Sequence, residues 1–114
     1  MNKSTRDFSN QHELSVCKAL EGRQQSNSGA GLFNKGDVVI PKASLLIECK
    51  TSMKEKDSVS IKKEWLVKNK EESFLIRKNH NCLCFNFGPE TDNYYVISEK
   101  LMKLLVDKLT EEED

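Results

Sequence analysis

Apolar residues are concentrated in two short runs that flank a turn signal in residues 35–51, KGDVVIPKASLLIECKT. The first run, residues 38–40, is β-branched, and the second, residues 45–47, is aliphatic. Pro41, Lys42 and Ala43 form a short turn between them. Short runs of this kind around a turn signal are typical of a β-hairpin. We therefore predict two paired strands here and expect the rest of the chain to be organised around them.

The first helical pattern covers residues 7–22, within which apolar residues recur at helical spacing. Ser4 or Asp7 provides its N-cap, and these two residues stand at the spacing of a capping box. Gly22 is a suitable helix end. The chain is therefore predicted to begin with a capped helix.

Two further helices and three further strands follow from the same patterns. Asp57 or Ser58 is the expected cap of the second helix, and Ser98 caps the third, which carries a leucine stripe. The helices are predicted over roughly residues 59–78 and residues 99–109, and the strands over residues 82–87, residues 94–97 and a weak segment within residues 23–34. This order predicts an α/β domain whose mixed sheet is flanked by helices and which ends in a C-terminal helix.

Length and composition indicate one soluble globular domain over residues 1–110, followed by an acidic tail over residues 111–114. No apolar stretch approaches the length of a membrane span, so no membrane partner is expected. Residues 1–7 are polar and lack the apolar core of a signal peptide. A cytoplasmic location is therefore expected.

The formal net charge is zero, which argues against a strongly electrostatic nucleic-acid binder. The charge is uneven along the chain, however, because removing the four acidic residues of the tail leaves a body of net charge +4. The body is therefore mildly basic, and the tail is expected to be solvated.

The four cysteines are predicted to be core residues, because each lies in an apolar run where a free thiol behaves as a small hydrophobe. They are Cys17, Cys49, Cys82 and Cys84. None belongs to a Cys-x-x-Cys pair, and the segment around His80 lacks a second ligand pair at zinc-finger spacing. Reduced thiols fit the expected cytoplasmic location.

Charged residues stand at one end of the predicted hairpin. Glu48 and Lys50 are two residues apart on a strand, so their side chains point to the same face. Asp37 begins the neighbouring strand and is expected opposite them. Burying such charges is costly unless they are paired or bind a metal, and two carboxylates suit a hard cation such as Mg²⁺. The hairpin is therefore a candidate metal site.

Glu13 lies three and four residues before Val16 and Cys17, so it shares the apolar stripe of the first helix. A carboxylate on an inward stripe is a candidate for the same site. Helix geometry alone favours the alternative, in which Glu13 lies at the edge of the stripe and is solvated. The sequence leaves both interpretations open.

Small and polar residues in the segment 23–34, RQQSNSGAGLFN, predict a loop that either contacts a phosphate or is a plain connection. It is not a Walker A loop, because Asp37 follows Gly36 where that motif requires lysine. Lys62 and Lys63 lie in the first turn of the second helix and oppose its dipole. A nearby phosphate or carboxylate would offset that cost, or the two lysines are simply solvated.

The order of these residues resembles the PD-(D/E)xK nuclease superfamily. The resemblance is carried by Glu13, then Gly36-Asp37, then Glu48-Cys49-Lys50, on an αβββαβ order of elements. The Glu-Cys-Lys-Thr-Ser ending and the short length are most similar to the archaeal Holliday-junction resolvases and small phage-encoded resolvase-like proteins. Gly36 stands in place of the proline of the motif. The resemblance spans roughly residues 8–97 and implies a restriction-endonuclease-like core.

The resemblance also implies a role for each residue. Asp37, Glu48 and the Cys49 backbone carbonyl would hold Mg²⁺ or Mn²⁺. Lys50 would orient the attacking water or stabilise charge on the phosphate. Glu13 would bind the metal through water or take a second ion. The candidate contacts to DNA are Ser26, Ser28, Arg23, Gln24, Gln25, Lys54, Lys56, Lys62 and Lys63.

The function expected from this resemblance is a metal-dependent DNA endonuclease that acts on branched DNA in recombination or repair, as a Holliday-junction resolvase does. A homodimer on two-fold DNA is implied with it. A second expectation is a restriction- or repair-type nuclease on duplex DNA. A third, suggested by the neutral charge, the acidic tail and the small size, is a nucleic-acid-binding module that keeps the fold without catalysis.

Overall fold

The computed structural model describes residues 4–25 and 37–112, which form three helices and five strands. The helices are α1 (Thr5–Leu20), α2 (Lys63–Leu75) and α3 (Glu99–Glu112). The strands are β1 (Arg23–Gln24), β2 (Asp37–Ile40), β3 (Leu45–Lys50), β4 (His80–Phe85) and β5 (Tyr94–Val96). They form one sheet in the order β1-β2-β3-β4-β5, with β3 parallel to β4 and the other neighbours antiparallel. The predicted α/β class, with a helix-flanked mixed sheet and a C-terminal helix, is confirmed.

The central hairpin forms as predicted. A 3₁₀ turn at Pro41–Ala43 joins β2 to β3, and Ser44 completes the reversal with a left-handed backbone (φ 50°). The strand register pairs Asp37 directly with Glu48. All four residues of β2 are buried, because this strand lies between β1 and β3 and contacts α1.

The two faces of the sheet pack against different helices. Ile47 and Cys49 point to the face that contacts α1, where Val16 enters the main apolar cluster. Leu46 and Glu48 point to the opposite face, because side chains alternate along a strand. That face is covered by α2, which contacts β3 and β4. The hairpin therefore contributes Val38, Ile40 and Ile47 to the layer with α1, and its two carboxylates, with Leu46, to the layer with α2.

The four cysteines are free thiols in or beside this apolar cluster, as predicted. Cys82 and Cys84 are buried, while Cys17 and Cys49 are half-buried against it. Burial raises the pKa of the Cys82 thiol to about 12. This thiol is therefore neutral near pH 7.

The predicted caps are confirmed for α1 and α3. The Asp7 N–H donates to Ser4 Oγ (3.3 Å), and the Asp7 carboxylate accepts from the Ser4 N–H (3.0 Å), which completes a capping box. The Leu101 N–H donates to Ser98 Oγ (3.1 Å). Gly22 follows the end of α1, where a Cβ would lie 2.8 Å from the Val39 carbonyl oxygen. Glycine is therefore required there for space.

The predicted start of α2 is wrong. The helix begins at Lys63, and its N-cap, Lys62, makes no side-chain capping bond. Lys62 still has an extended backbone (φ −85°, ψ 134°), so Asp57 and Ser58 lie too far upstream to cap the helix.

The last helix, α3, is longer than predicted and runs through Glu112, so the expected tail at residues 111–114 begins inside it. Residues 113–114 lie outside the described part of the chain. Most apolar side chains of α3 are exposed; Leu101 is half-buried. None of the described helices has the length and apolar character needed to cross a membrane.

Candidate metal centre

Three carboxylates meet on the sheet face that α2 covers. One carboxylate oxygen from each of Asp37, Glu48 and Glu72 lies within 4.8 Å of the other two. The three residues are only 1%, 2% and 4% exposed. Asp37 and Glu48 are brought together by the hairpin register, and Glu72 is supplied by α2. We call Asp37, Glu48 and Glu72 the carboxylate cluster.

The carboxylate cluster holds more negative charge than the adjacent ammonium balances. Like charges at this separation repel one another, and burial removes the water that would solvate them. Lys50 places its Nζ 3.8 Å from Glu48 Oε2 and is one-third exposed. A single ammonium does not neutralise three carboxylates, whereas a hard divalent cation with oxygen ligands offsets much more of their charge.

The donor set fits such a cation. Carboxylate oxygens are the ligands that Mg²⁺ and Mn²⁺ prefer over softer donors. Within residues 4–25 and 37–112, no hydrogen-bond partner reaches the buried Oε2 of Glu72. This atom therefore remains available as a ligand. The cluster is the part of the described chain that could hold a metal ion.

Trp65 positions the amine beside the cluster. The Lys50 Nζ lies 4.6 Å from the centroid of the indole ring, within the range of a cation–π contact. The Lys62 Nζ lies 5.7 Å from the same ring. The start of the helix therefore brings a second ammonium next to Lys50. The contact with the indole ring is favourable for Lys62 and offsets the repulsion between its charge and the positive end of the helix dipole.

The inward side of α2 is polar, which the sequence analysis did not anticipate. Asn69, Glu72 and Ser73 are its buried residues, whereas Phe74 is 82% exposed and Leu66 is 40% exposed. Hydrophobic patterning alone would place these two apolar residues inward, and the structure places both of them outward.

Glu72 is the site residue that the sequence analysis missed. A signal was present, because Glu72 lies seven residues after Trp65 and so shares its side of the helix. What the spacing does not reveal is that this side faces the carboxylates of the hairpin. The polar inward surface of α2 therefore only becomes interpretable once the sheet is in place.

Glu13 lies outside the carboxylate cluster. Its helix packs on the opposite face of the sheet, and its Oε1 accepts a hydrogen bond from Gln24 Nε2 at 3.1 Å. A hydrogen bond to Cys84 and burial raise the pKa of the Cys49 thiol, with smaller contributions from the charges of Glu13 and Asp37. Gln24 pairs with Val38 in the strand register, so Glu13 lies near the end of the sheet that carries Asp37. Its binding to a metal through water stays a prediction.

The environment of Glu13 makes its ionisation unfavourable for folding. Burial raises the pKa of its carboxyl above the ordinary 4.5, although the Gln24 hydrogen bond and the nearby His12 lower it in part. A raised pKa means that the folded chain binds this proton more tightly than the unfolded chain. The ionised carboxylate therefore destabilises the fold progressively as the pH rises from 4.5 through the raised pKa.

We expect Glu13→Gln to be more stable than the wild type at pH 7, by less than about 1 kcal/mol because the group is half-exposed and screened. The difference should shrink as the pH falls toward 4.5, where the wild-type carboxyl gains its proton. Urea unfolding in EDTA at both pH values measures it. Glu71→Gln, at an exposed glutamate of α2, is the control, with an expected change below about 0.5 kcal/mol. A gain that is independent of pH would contradict the assignment.

The remaining predicted residues lie at several places in the structure. The Gln25 N–H donates to the Asp37 carbonyl at 2.9 Å, so the end of β1 lies beside the cluster backbone. Arg23 is exposed on β1, and Lys54 is exposed in the connector before α2. Lys63 lies on the outer surface of α2 with other exposed side chains. Ser26 and Ser28 fall outside the described residues, and the Cys49 carbonyl stays a predicted ligand.

No protein-family model, curated protein or solved structure matches this chain. The fold and the site define an α/β protein with a mixed five-stranded sheet and a buried acidic cluster suited to a metal ion. The narrower restriction-endonuclease-like fold and the superfamily resemblance stay predictions. The geometry and charge of the site are therefore the basis for assigning a function.

Proposed function

We propose that this chain is a metal-dependent DNA endonuclease that hydrolyses phosphodiester bonds. The observation that carries the proposal is the convergence of the carboxylate cluster with the amine of Lys50. Two of the carboxylates and the amine come from the hairpin positions that resemble the nuclease motif. The third carboxylate, Glu72, completes a set of hard oxygen donors next to an accessible positive charge.

The division of labour follows from burial. Asp37, Glu48 and Glu72 would hold Mg²⁺ or Mn²⁺ where little water competes, which strengthens each ionic contact. When bound, such an ion supplies Lewis acidity toward a phosphate oxygen and activates water for attack. Lys50 is one-third exposed, so its ammonium can orient that water or stabilise negative charge developing on the phosphate. Trp65 limits the positions that the ammonium can take.

An aromatic group beside Lys50 supports a branched substrate. Phe85 pairs with Lys50 in the strand register and stacks on Tyr94 at a centroid distance of 5.9 Å. Tyr94 is 49% exposed, so part of its ring is open to solvent. Exposed rings near a phosphate site bind unpaired bases by stacking. DNA with splayed or unpaired nucleotides, such as a junction, fits this surface better than an intact duplex.

Exposed basic side chains supply the phosphate contacts in this proposal. Lys62 lies beside Lys50 on Trp65, and Arg23 and Lys54 are exposed. Such contacts hold the DNA backbone without reading its sequence. The binding should therefore weaken as the salt concentration rises.

A cleavage assay tests the function. Labelled four-way junction, flap, single strand and matched duplex are incubated with the protein in Mg²⁺, Mn²⁺ or EDTA. We expect cleavage of branched DNA that requires metal and that falls at least about a hundredfold in Lys50→Ala, as for loss of one electrostatic contact in the transition state. Lys70→Ala, at an exposed lysine of α2, is the matched control and should cleave normally.

The substrate panel also separates the alternatives. Preferential cleavage of duplex would favour a restriction- or repair-type nuclease over one that acts on junctions. Binding of DNA without cleavage in either metal would contradict the enzyme and favour a non-catalytic module, the alternative that the zero net charge supports.

A further inference from the structure

Two cysteine thiols lie next to each other on the sheet face opposite the carboxylate cluster. The strand register pairs Cys49 of β3 directly with Cys84 of β4, so their side chains point to the same side. Both are free thiols, and the Cys49 thiol donates a hydrogen bond to Cys84 Sγ. Cys82, by contrast, pairs with Ile47 and has no cysteine opposite it. The fold therefore brings one particular pair of thiols into contact.

The spacing of neighbouring strands suits a disulfide between these two thiols. Adjacent strands lie about 4.8 Å apart, and the Cα atoms of a disulfide are usually about 4.4–6.8 Å apart. The Cβ atoms of a disulfide are closer, at about 3.8 Å, so closing the bond would draw β3 and β4 together by about 1 Å. A strained bond of this kind is more easily reduced, as regulatory disulfides are.

The two thiols differ in how an oxidant reaches them. Cys49 is half-buried, whereas Cys84 is fully buried. A small oxidant therefore meets Cys49 first. The His12 Nε2 atom lies 3.5 Å from Cys84 Sγ. The proton of Cys49 can therefore pass through Cys84 to the imidazole when Cys49 reacts.

From these contacts we infer that Cys49 and Cys84 form a reversible disulfide that turns off the metal site in the presence of hydrogen peroxide. Cys49 Sγ attacks one peroxide oxygen, the O–O bond breaks, and Cys49 becomes a sulfenic acid while one water leaves. Cys84 Sγ then attacks Cys49 Sγ and the S–O bond breaks. The hydroxide leaves as a second water with the proton of the Cys84 thiol. Two thiols are thus oxidised to one disulfide, and hydrogen peroxide is reduced to two waters.

The disulfide acts on the metal site through the backbone of β3. Cys49 lies between Glu48 and Lys50, whose side chains point to the other face of the sheet. Groups in a functional site must be held to within about 0.5 Å, so a strand shift of about 1 Å displaces both side chains too far. This control of the site rests on the proposed metal binding, whereas formation of the disulfide does not.

Peptide mapping by mass spectrometry tests the disulfide. The full chain is treated with hydrogen peroxide, its remaining thiols are blocked, and it is digested without reductant. We expect a peptide pair joined through Cys49 and Cys84 that is absent before treatment and is lost again with dithiothreitol. Cys82→Ser, which changes a buried cysteine on the same strand, should still form the bond, and Cys84→Ser should not. No disulfide, or one that joins a different pair of cysteines, would overturn the inference.

A Mn²⁺ titration of the same samples tests the control of the metal site. The oxidised wild type should bind Mn²⁺ at least about tenfold more weakly than the reduced protein, the scale seen when the surroundings of a ligand are disturbed. Dithiothreitol should restore the affinity. Cys84→Ala treated with peroxide should keep its affinity, which excludes oxidation elsewhere as the cause, and circular dichroism checks that each sample is folded.

The two measurements separate the switch from the proposed function. Equal Mn²⁺ affinities for the reduced protein and the disulfide form would overturn the control of the site. Absence of Mn²⁺ binding in the reduced protein would overturn the metal site, and its control with it, while the peptide map would still decide whether Cys49 and Cys84 form a disulfide.

Discussion

Asp37→Asn is expected to abolish metal-dependent cleavage of branched DNA, with a loss of at least about a thousandfold in rate. Asparagine keeps the size of the side chain and removes the charge that would hold the ion. The expected loss corresponds to the several kcal/mol of transition-state stabilisation that a bound metal provides. Initial rates on a labelled four-way junction in Mg²⁺ measure it, and Asp92→Asn, at an exposed aspartate, is the control.

The stability of the same variant separates loss of function from loss of fold. Asp37 is 1% exposed and lies within 4.8 Å of two other carboxylates. Removing one of three buried like charges relieves repulsion, so Asp37→Asn should be at least as stable as the wild type in EDTA. Addition of Mg²⁺ should then raise the melting temperature of the wild type but not that of the variant. Cleavage by Asp37→Asn at the wild-type rate would remove Asp37 from the site.

Glu72→Gln is expected to weaken Mn²⁺ binding at least about tenfold. Mutation of a residue that only supports a metal ligand already lowers metal affinity by about tenfold or more, and Glu72 would be a ligand itself. Glu72 contributes one of the three carboxylates of the cluster, although its position on α2 is far in sequence from the hairpin. Glutamine keeps the shape but offers a weaker, neutral oxygen. Isothermal titration with Mn²⁺ measures the change.

The chain provides a close control for this prediction. Glu71 precedes Glu72 on the same helix and is exposed. Glu71→Gln removes the same charge from nearly the same place and should leave the Mn²⁺ affinity unchanged. Equal affinities for Glu72→Gln and Glu71→Gln would show that α2 does not contribute to the metal site.

The hairpin and the helix caps could be predicted because their causes are local. Alternating strand geometry fixes Glu48 and Lys50 on one face, and the four-residue connection 41–44 fixes Asp37 opposite Glu48. The Ser4 cap is equally local, since the capping box needs only Asp7 three residues later. Each of these features is set within about ten residues of chain.

The position of Glu13 and the start of α2 could not be predicted in the same way. A narrow apolar stripe does not fix the rotation of a helix closely enough to say which neighbour its edge residues meet, and Glu13 meets Gln24. The start of α2 has no side-chain cap at Lys62 to mark it, so no local signal in the sequence locates it. Tertiary contacts therefore override the local signals at both places.

The inward side of α2 shows the limit of hydrophobic patterning most clearly. Patterning assigns apolar residues to the interior, which led to Phe74, yet Phe74 is 82% exposed. The helix instead buries Asn69, Glu72 and Ser73. Buried polar residues need partners, and Ser73 Oγ accepts from Asn81 Nδ2 at 3.2 Å on β4. The sequence of the helix alone does not predict which polar residues are buried, because their partners lie on the sheet.

The measurement that most directly tests the central claim is a Mn²⁺ titration followed by electron paramagnetic resonance, in which the signal of the free ion disappears on binding. We expect the wild type to remove Mn²⁺ from solution and the double variant Asp37→Asn/Glu48→Gln to leave it free, with both proteins folded. Identical free-ion signals for the wild type and the double variant would show that the three carboxylates do not bind a divalent cation.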